Sequence, residues 1–100
     1  MLLYNVTVKV EAEIEAEWLA WMQQTHIPEV LATGMFVKNQ FLRLISQQED
    51  EGQTYAVQYY CESSELLDEY MHSHAPALQQ KTRERYANKF VAFRTVLEVL

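Results

Sequence analysis

Three histidines stand in this chain, at positions 26, 72 and 74, and histidine is the side chain that changes charge near neutral pH. His26 sits in the run His26-Ile27-Pro28-Glu29, at the end of a helical pattern and beside a carboxylate. Next to a cavity it would be a general base, and as a plain helix end it would answer the helix dipole. His72 and His74 are two apart, so on a helix they point to different faces, whereas Tyr70 and His74 share one. A metal site needs three or four converging ligands, so this pair predicts no metal. Asn5, Arg43, Gln58, Tyr60 and Arg94 complete the candidate set. Each is polar within an otherwise apolar, extended segment, where a buried amide or guanidinium needs a partner or a ligand. Cys61 has no adjacent His or Arg to activate it and reads as a small buried thiol. Ser63-Ser64 reads as a helix cap rather than a nucleophile pair. With only Gly34 and Gly52 present, there is no Gly-rich phosphate loop, and there is no Gly-x-Ser-x-Gly elbow.

The elements that must position these residues follow from periodicity. Residues 2–10 alternate with period two: Tyr4, Val6 and Val8 face one way, Leu3, Asn5 and Thr7 the other. From residue 12 the period changes. Ile14, Trp18, Trp21, Met22 and Thr25 form one helical stripe, with glutamates at the positive end of the helix. Pro28 predicts an end of this helix near His26, a further short turn over 29–32, and a left-handed cap at Gly34. Residues 35–47 read as a second strand, 48–53 as a hairpin loop and 54–61 as a third strand. Ser63 predicts an N-cap for a helix carrying Leu66, Leu67, Tyr70, Met71 and His74. Pro76 breaks that helix and opens the next, which runs to about Asn88, and residues 90–99 alternate again.

The order is β-α-β-β-α-β over a single domain, residues 1–100. This predicts an α+β, ferredoxin-like fold: a four-stranded antiparallel sheet with right-handed crossovers and both helices on one face. Tyr4, Val6 and Val8, with Val91, Phe93 and Leu97 of the last strand, are expected to face the helices. Leu3, Asn5, Thr7, Ala92, Arg94 and Val96 are then expected on the open face, and Arg43, Gln58 and Tyr60 are placed there too. The second strand is apolar on both sides, so a slip of one residue would exchange Arg43 for Leu42 and Leu44. A mixed open face of this kind predicts a two-fold homodimer packed sheet to sheet. Its polar residues would line a shared cavity or bond to one another, Asn5 to Arg43 or Arg94.

Charge narrows the partners. With 8 Lys plus Arg against 14 Asp plus Glu, the net charge is -6, and an acidic domain repels nucleic-acid backbones. The acidic runs 11–17 and 49–51 and the basic run 81–89 read as solvated faces. One cysteine allows no internal disulfide and suits a reducing compartment. The first residues have neither the basic start nor the cleavage site of a signal peptide, and no apolar run could span a bilayer, so a cytoplasmic protein is expected.

The segments Tyr4-Asn5-Val6-Thr7, Trp18-Leu19-Ala20-Trp21-Met22, His26 to Gly34, Tyr70 to Leu78 and Phe93-Arg94-Thr95 resemble the domain-of-unknown-function 4286 family of small bacterial proteins. The resemblance covers nearly the whole chain and brings no assigned activity. More widely, the chain resembles the dimeric α+β barrel proteins, which include cofactor-free and haem-degrading monooxygenases. This implies a ferredoxin-like dimer but no single chemistry. Asn5 and His74 resemble the Asn and His of the haem-degrading members, while the Trp of that set has no counterpart on the sheet here. No cofactor is assigned. Three functions follow: a small-molecule-binding homodimer, a monooxygenase- or isomerase-like enzyme on a small aromatic or anionic substrate with His26 as base, and a structural dimerisation module.

Overall fold

A computed structural model describes residues 1–46 and 52–100. The strands are β1 (Leu2–Val10), β2 (Lys38–Arg43), β3 (Gln53–Cys61) and β4 (Phe90–Glu98), in the sheet order β2-β3-β1-β4, every pair antiparallel. The first crossover holds a 3₁₀ turn (Ala12–Ile14), α1 (Glu15–Trp21), a π turn (Met22–His26) and α2 (Ile27–Ala32); the second holds α3 (Ser64–Ser73) and α4 (Ala75–Tyr86). This is the expected ferredoxin-like α+β fold. Most of the expected hairpin loop lies outside the described residues.

Three local predictions hold with their reasons. The Ser63 hydroxyl accepts from the Leu66 amide at 3.2 Å and caps α3. Pro76 lies in the first turn of α4, where its missing N–H costs nothing. Gly34 takes φ +78° just past α2. Two boundaries differ. The first crossover does not stop at His26: the Ile27 amide bonds to the Met22 carbonyl five residues back, and this π turn resets the ladder one residue before Pro28, so the chain stays helical to Ala32. β2 is shorter than expected because Phe36 turns into the core and stacks on Tyr4 with ring centroids 6.1 Å apart.

The core lies between the sheet and the helices. Tyr4 and Val8 of β1, Tyr55, Val57 and Tyr59 of β3, Trp18, Met22, Ile27 and Val30 of the first crossover, and Leu67, Tyr70 and Tyr86 of the second are all buried. Trp18, 1% exposed, meets Tyr55 at 5.1 Å and Phe41 at 5.7 Å. Cys61 is fully buried at the end of β3, its thiol directed at the Met35 and Ser63 carbonyls. The acidic and basic runs pair across the surface, Glu13 with Lys89, Glu17 with Arg85 and Glu29 with Lys81. These pairs are largely solvated, so each adds little to stability.

The pairing register corrects the facing of two strands. Val8 pairs with Ala92, Val6 with Arg94 and Tyr4 with Val96, and directly opposed residues share a face. Arg94 and Ala92 therefore lie on the helix side of the sheet. Val91, Phe93 and Leu97 lie on the open side with Leu3, Asn5 and Thr7, the reverse of the expectation. On β2, Arg43 pairs with Tyr55 and Phe41 with Val57, so both lie on the helix side, and Leu42 takes the open side. Gln58 and Tyr60 are on the open face as expected, opposite Asn5 and Leu3.

Candidate functional site

The register divides the candidate residues among separate places. Asn5 and Gln58 meet on the open face, where the Gln58 amide donates to Asn5 Oδ1 at 3.2 Å and the Asn5 amide donates to Thr7 and Thr95. Tyr60 donates to Gln40 at 3.3 Å on the same face. Arg43 stands exposed at the end of β2, its Nε 3.4 Å from the Tyr55 hydroxyl, which donates in turn to Glu15. It therefore bonds to no Asn5. His74 sits between α3 and α4, half-buried against Tyr70, beside Glu29 and Thr33 in a shallow groove. His26 and Arg94 alone come together, in a cavity between the sheet and the helices.

That cavity has a volume of about 180 Å³. Its floor is β1, β3 and β4, through Tyr4, Val6, Val57, Tyr59, Ala92 and Arg94. Its walls are Trp18, Met22 and His26 from the first crossover and Tyr70, Leu78 and Gln79 from the second, with Thr82 and Arg83 at the α4 side. The π turn is what places His26 there, since it ends on this residue and leaves the ring stacked on Trp21 at 5.0 Å.

Polar groups are unusually placed in this space. His26 Nδ1 and the Tyr59 hydroxyl are buried with no hydrogen-bond partner. An unmet buried donor or acceptor costs about 1–3 kcal/mol, so two of them on one cavity call for a partner that enters it. Burial drives the His26 pKa down to about 4; Glu29 opposes the shift, and Lys81 and Arg94 add to it. Its imidazole is therefore neutral at pH 7. Burial also raises the hydroxyls of Tyr59 and Tyr70 well above the ordinary phenol range, helped by neighbouring tyrosines, so both remain donors. Tyr4 is raised by burial as well, partly offset by the neighbouring Arg94 and Gln79 side chains. Among the described residues Arg94 forms no ion pair with a carboxylate.

Tyr4, Tyr59, Tyr70 and Gln79 are the residues that sequence reasoning missed. The signal was present for two of them, because Tyr4 and Tyr59 lie at the inward positions of two alternating strands and carry a hydroxyl into the core. Gln79 had no signal, since its helix is polar on most sides. Asn5 and His74 do not meet: one lies on the open face and the other beyond the helices. The Asn and His pair of the haem-degrading barrels is therefore not assembled from Asn5 and His74. Among the described residues no three His, Cys, Asp or Glu side chains converge to hold a metal ion.

The model of the family described as "Domain of unknown function (DUF4286)" matches residues 1–100. The chain belongs to this family. No curated protein matches it. Among solved structures, the DUF4286 chain is similar to HapK from Hahella chejuensis, with TM-score 0.74, 13% identity, and coverage of 100% of this chain and 93% of that one. It is similar to a cofactor-independent oxygenase, SnoaB from Streptomyces nogalater, with TM-score 0.69, 10% identity, and coverage of 98% and 92%. It is also similar to a dimeric ferredoxin-like protein from an uncultured marine organism, with TM-score 0.64, 11% identity, and coverage of 100% and 95%. At these identities the likeness establishes the fold of the DUF4286 chain and leaves its chemistry to its own residues. No helix among the described residues is long and apolar enough to cross a membrane.

Proposed function

We propose that this protein is a small-molecule-binding homodimer whose ligand occupies the cavity between sheet and helices. The observation that carries the reading is the pair of unpartnered buried polar atoms, His26 Nδ1 and Tyr59 Oη, on residues lining one cavity. Arg94 and His26 are its ligand-binding residues from the original candidate set. Asn5, Gln58 and Tyr60 belong instead to the dimer contact, and Arg43 and His74 to neither. In this reading residues 1–100 act as one domain, and the single buried thiol suits the cytoplasm.

The dimer is assigned to the open sheet face. Val91, Phe93 and Leu97 of β4 are 66%, 63% and 48% exposed there, a row of apolar side chains that water solvates poorly. The polar groups between them are already paired with one another, Asn5 with Gln58 and Thr95, and Tyr60 with Gln40. A face with satisfied polar groups and exposed apolar ones suits packing against a copy of itself rather than a ligand. The dimeric ferredoxin-like structure among the neighbours supports this reading.

Binding is favoured over catalysis by the state of His26. A general base works best with a pKa near the operating pH, and His26 is held at about 4. It is then a weak base and a good neutral hydrogen-bonding group. The oxygenase among the neighbours keeps an enzymatic reading in view at the level of fold only. Native mass spectrometry of the purified protein tests the proposal: a dimer carrying extra small-molecule mass is expected, lost on substituting His26→Phe. A monomer would remove the dimer. A bare protein whose His26 and Tyr59 ring resonances respond to no member of a small-molecule panel would remove the ligand.

A further inference from the structure

We propose that the cavity takes a single-ring aromatic acid as its monoanion, the carboxylate held at Arg94 and Gln79 and a ring hydroxyl turned to His26 and Tyr59. This rests on the reading of the cavity as the ligand site and commits to the ligand's chemistry.

Size comes first. A dry cavity of about 150 Å³ in another protein accommodates benzene, so about 180 Å³ is room for one six-membered ring with small substituents. Charge comes second. The chain carries 14 acids and 8 Lys plus Arg, yet the charged side chains lining this cavity are Arg83 and Arg94, with no carboxylate among the lining residues. The cations nearby are otherwise spoken for: Lys81, Arg85 and Lys89 pair with glutamates, and Arg83 donates to Gln80. Among the described residues Arg94 is paired with no carboxylate, which leaves its guanidinium edge for a ligand carboxylate, the planar anion that it matches in two parallel hydrogen bonds. Gln79 lines the same cavity from α4, and its amide is a second donor.

Shape and residual polarity come third. Tyr59 and Tyr70 line the cavity, and an aromatic ligand prefers offset or edge contacts with such rings. The unmet His26 Nδ1 and Tyr59 Oη belong to residues lining this cavity, and a ring hydroxyl, which both donates and accepts, can partner either. The groups facing His26 are Glu29, Lys81 and Arg94, so a neutral hydroxyl meets this end of the cavity at lower cost than a second charge.

Calorimetric titration near neutral pH with para-hydroxybenzoate, benzoate and benzyl alcohol tests this. The expected order of affinity is para-hydroxybenzoate, then benzoate, then benzyl alcohol, each acid favoured over the alcohol by about tenfold or more, the worth of a charge-assisted hydrogen bond. Arg94→Gln should erase the preference for acids over benzyl alcohol. His26→Phe should erase the advantage of para-hydroxybenzoate over benzoate. Arg94 is exposed and on an outer strand, so Arg94→Gln keeps the fold; Arg94→Lys, which keeps charge without the planar fork, gives an intermediate preference. Equal binding of benzoate and benzyl alcohol, or an acid preference surviving Arg94→Gln, would overturn the ligand class while leaving the cavity reading intact. Silence of the His26 and Tyr59 ring resonances with all three compounds would overturn the ligand class as well, and the native mass then decides the cavity reading separately.

Discussion

His26 stacks on Trp21 with ring centroids 5.0 Å apart and 25° between the planes, and its Nδ1 is buried without a partner. The neutral ring is a good flat surface for the indole, and the charged ring would be buried and unpaired. Folding therefore favours the neutral form, which is why its pKa falls from 6.5 to about 4. Above pH 6.5 both folded and unfolded chains hold this histidine neutral. Between 6.5 and about 4 the unfolded chain binds a proton that the folded chain refuses, so stability falls as pH falls through this window. The loss reaches about 3 kcal/mol at the lower end and stays constant below it. Urea unfolding at a series of pH values should show this slope in the wild type and a flatter one in His26→Phe. Parallel slopes in the two proteins would show that His26 is not the group.

Trp18 is the largest fully buried side chain and closes the space between the first crossover and the far end of the sheet. Its indole meets Phe41 near edge-on and Tyr55 at a tilt. Trp18→Ala should cost about 3–5 kcal/mol, measured by the urea midpoint. A loss below about 1 kcal/mol would mean that the site collapses around the smaller side chain.

The two glycines should answer alanine differently. Gly52 takes φ +94°, and a Cβ there would lie 2.6 Å from the Val10 carbonyl oxygen. Gly34 takes φ +78° with open space around it. Gly34→Ala pays the left-handed backbone cost alone, about 1–2 kcal/mol. Gly52→Ala adds a clash with backbone that cannot rotate away and should be the more destabilising of the two. Thermal melts of both variants, measured side by side, check the order.

Phe93 projects from the open face opposite Thr7. In the proposed dimer, Phe93→Glu sets two carboxylates near an apolar contact and should yield monomers in light scattering. Arg43→Ala, which lies off that face, should leave the dimer intact. A dimer that survives Phe93→Glu would move the interface to another surface.

Ser63→Ala removes the hydroxyl that accepts the Leu66 amide at the start of α3. The loss should be about 1 kcal/mol, readable in the melting temperature, while Ser64→Ala should be close to neutral because Ser64 lies already inside the helix.

Much of the fold was legible in the residues. Period-two alternation in 2–10, the helical stripe from Ile14 to Met22, the Ser63 cap, and the prolines and glycines at their turns each act over a few neighbours, so local chemistry fixes them. The burial of Cys61 and the place of Trp18 in the core also followed from composition and spacing. What local chemistry left open was facing. Strand β4 carries Val91, Phe93 and Leu97 on one side and Ala92, Arg94 and Val96 on the other, and β2 sets Phe41 and Arg43 against Leu42, so neither side is clearly the core side. Only the ladder to β1 and β3 chose. The Glu11 amide bonds to the Lys89 carbonyl and Val8 falls opposite Ala92, which turns Arg94 toward Tyr4 and sends Phe93 outward. A shift of one residue would have reversed every one of those side chains, and with them the division between cavity and open face. The sequence by itself therefore determined the elements, their order and the polar residues that needed an explanation. The tertiary pairing decided that His26 and Arg94 share a cavity while Asn5 and Gln58 do not, because which face a strand buries is a property of its partners and not of the strand.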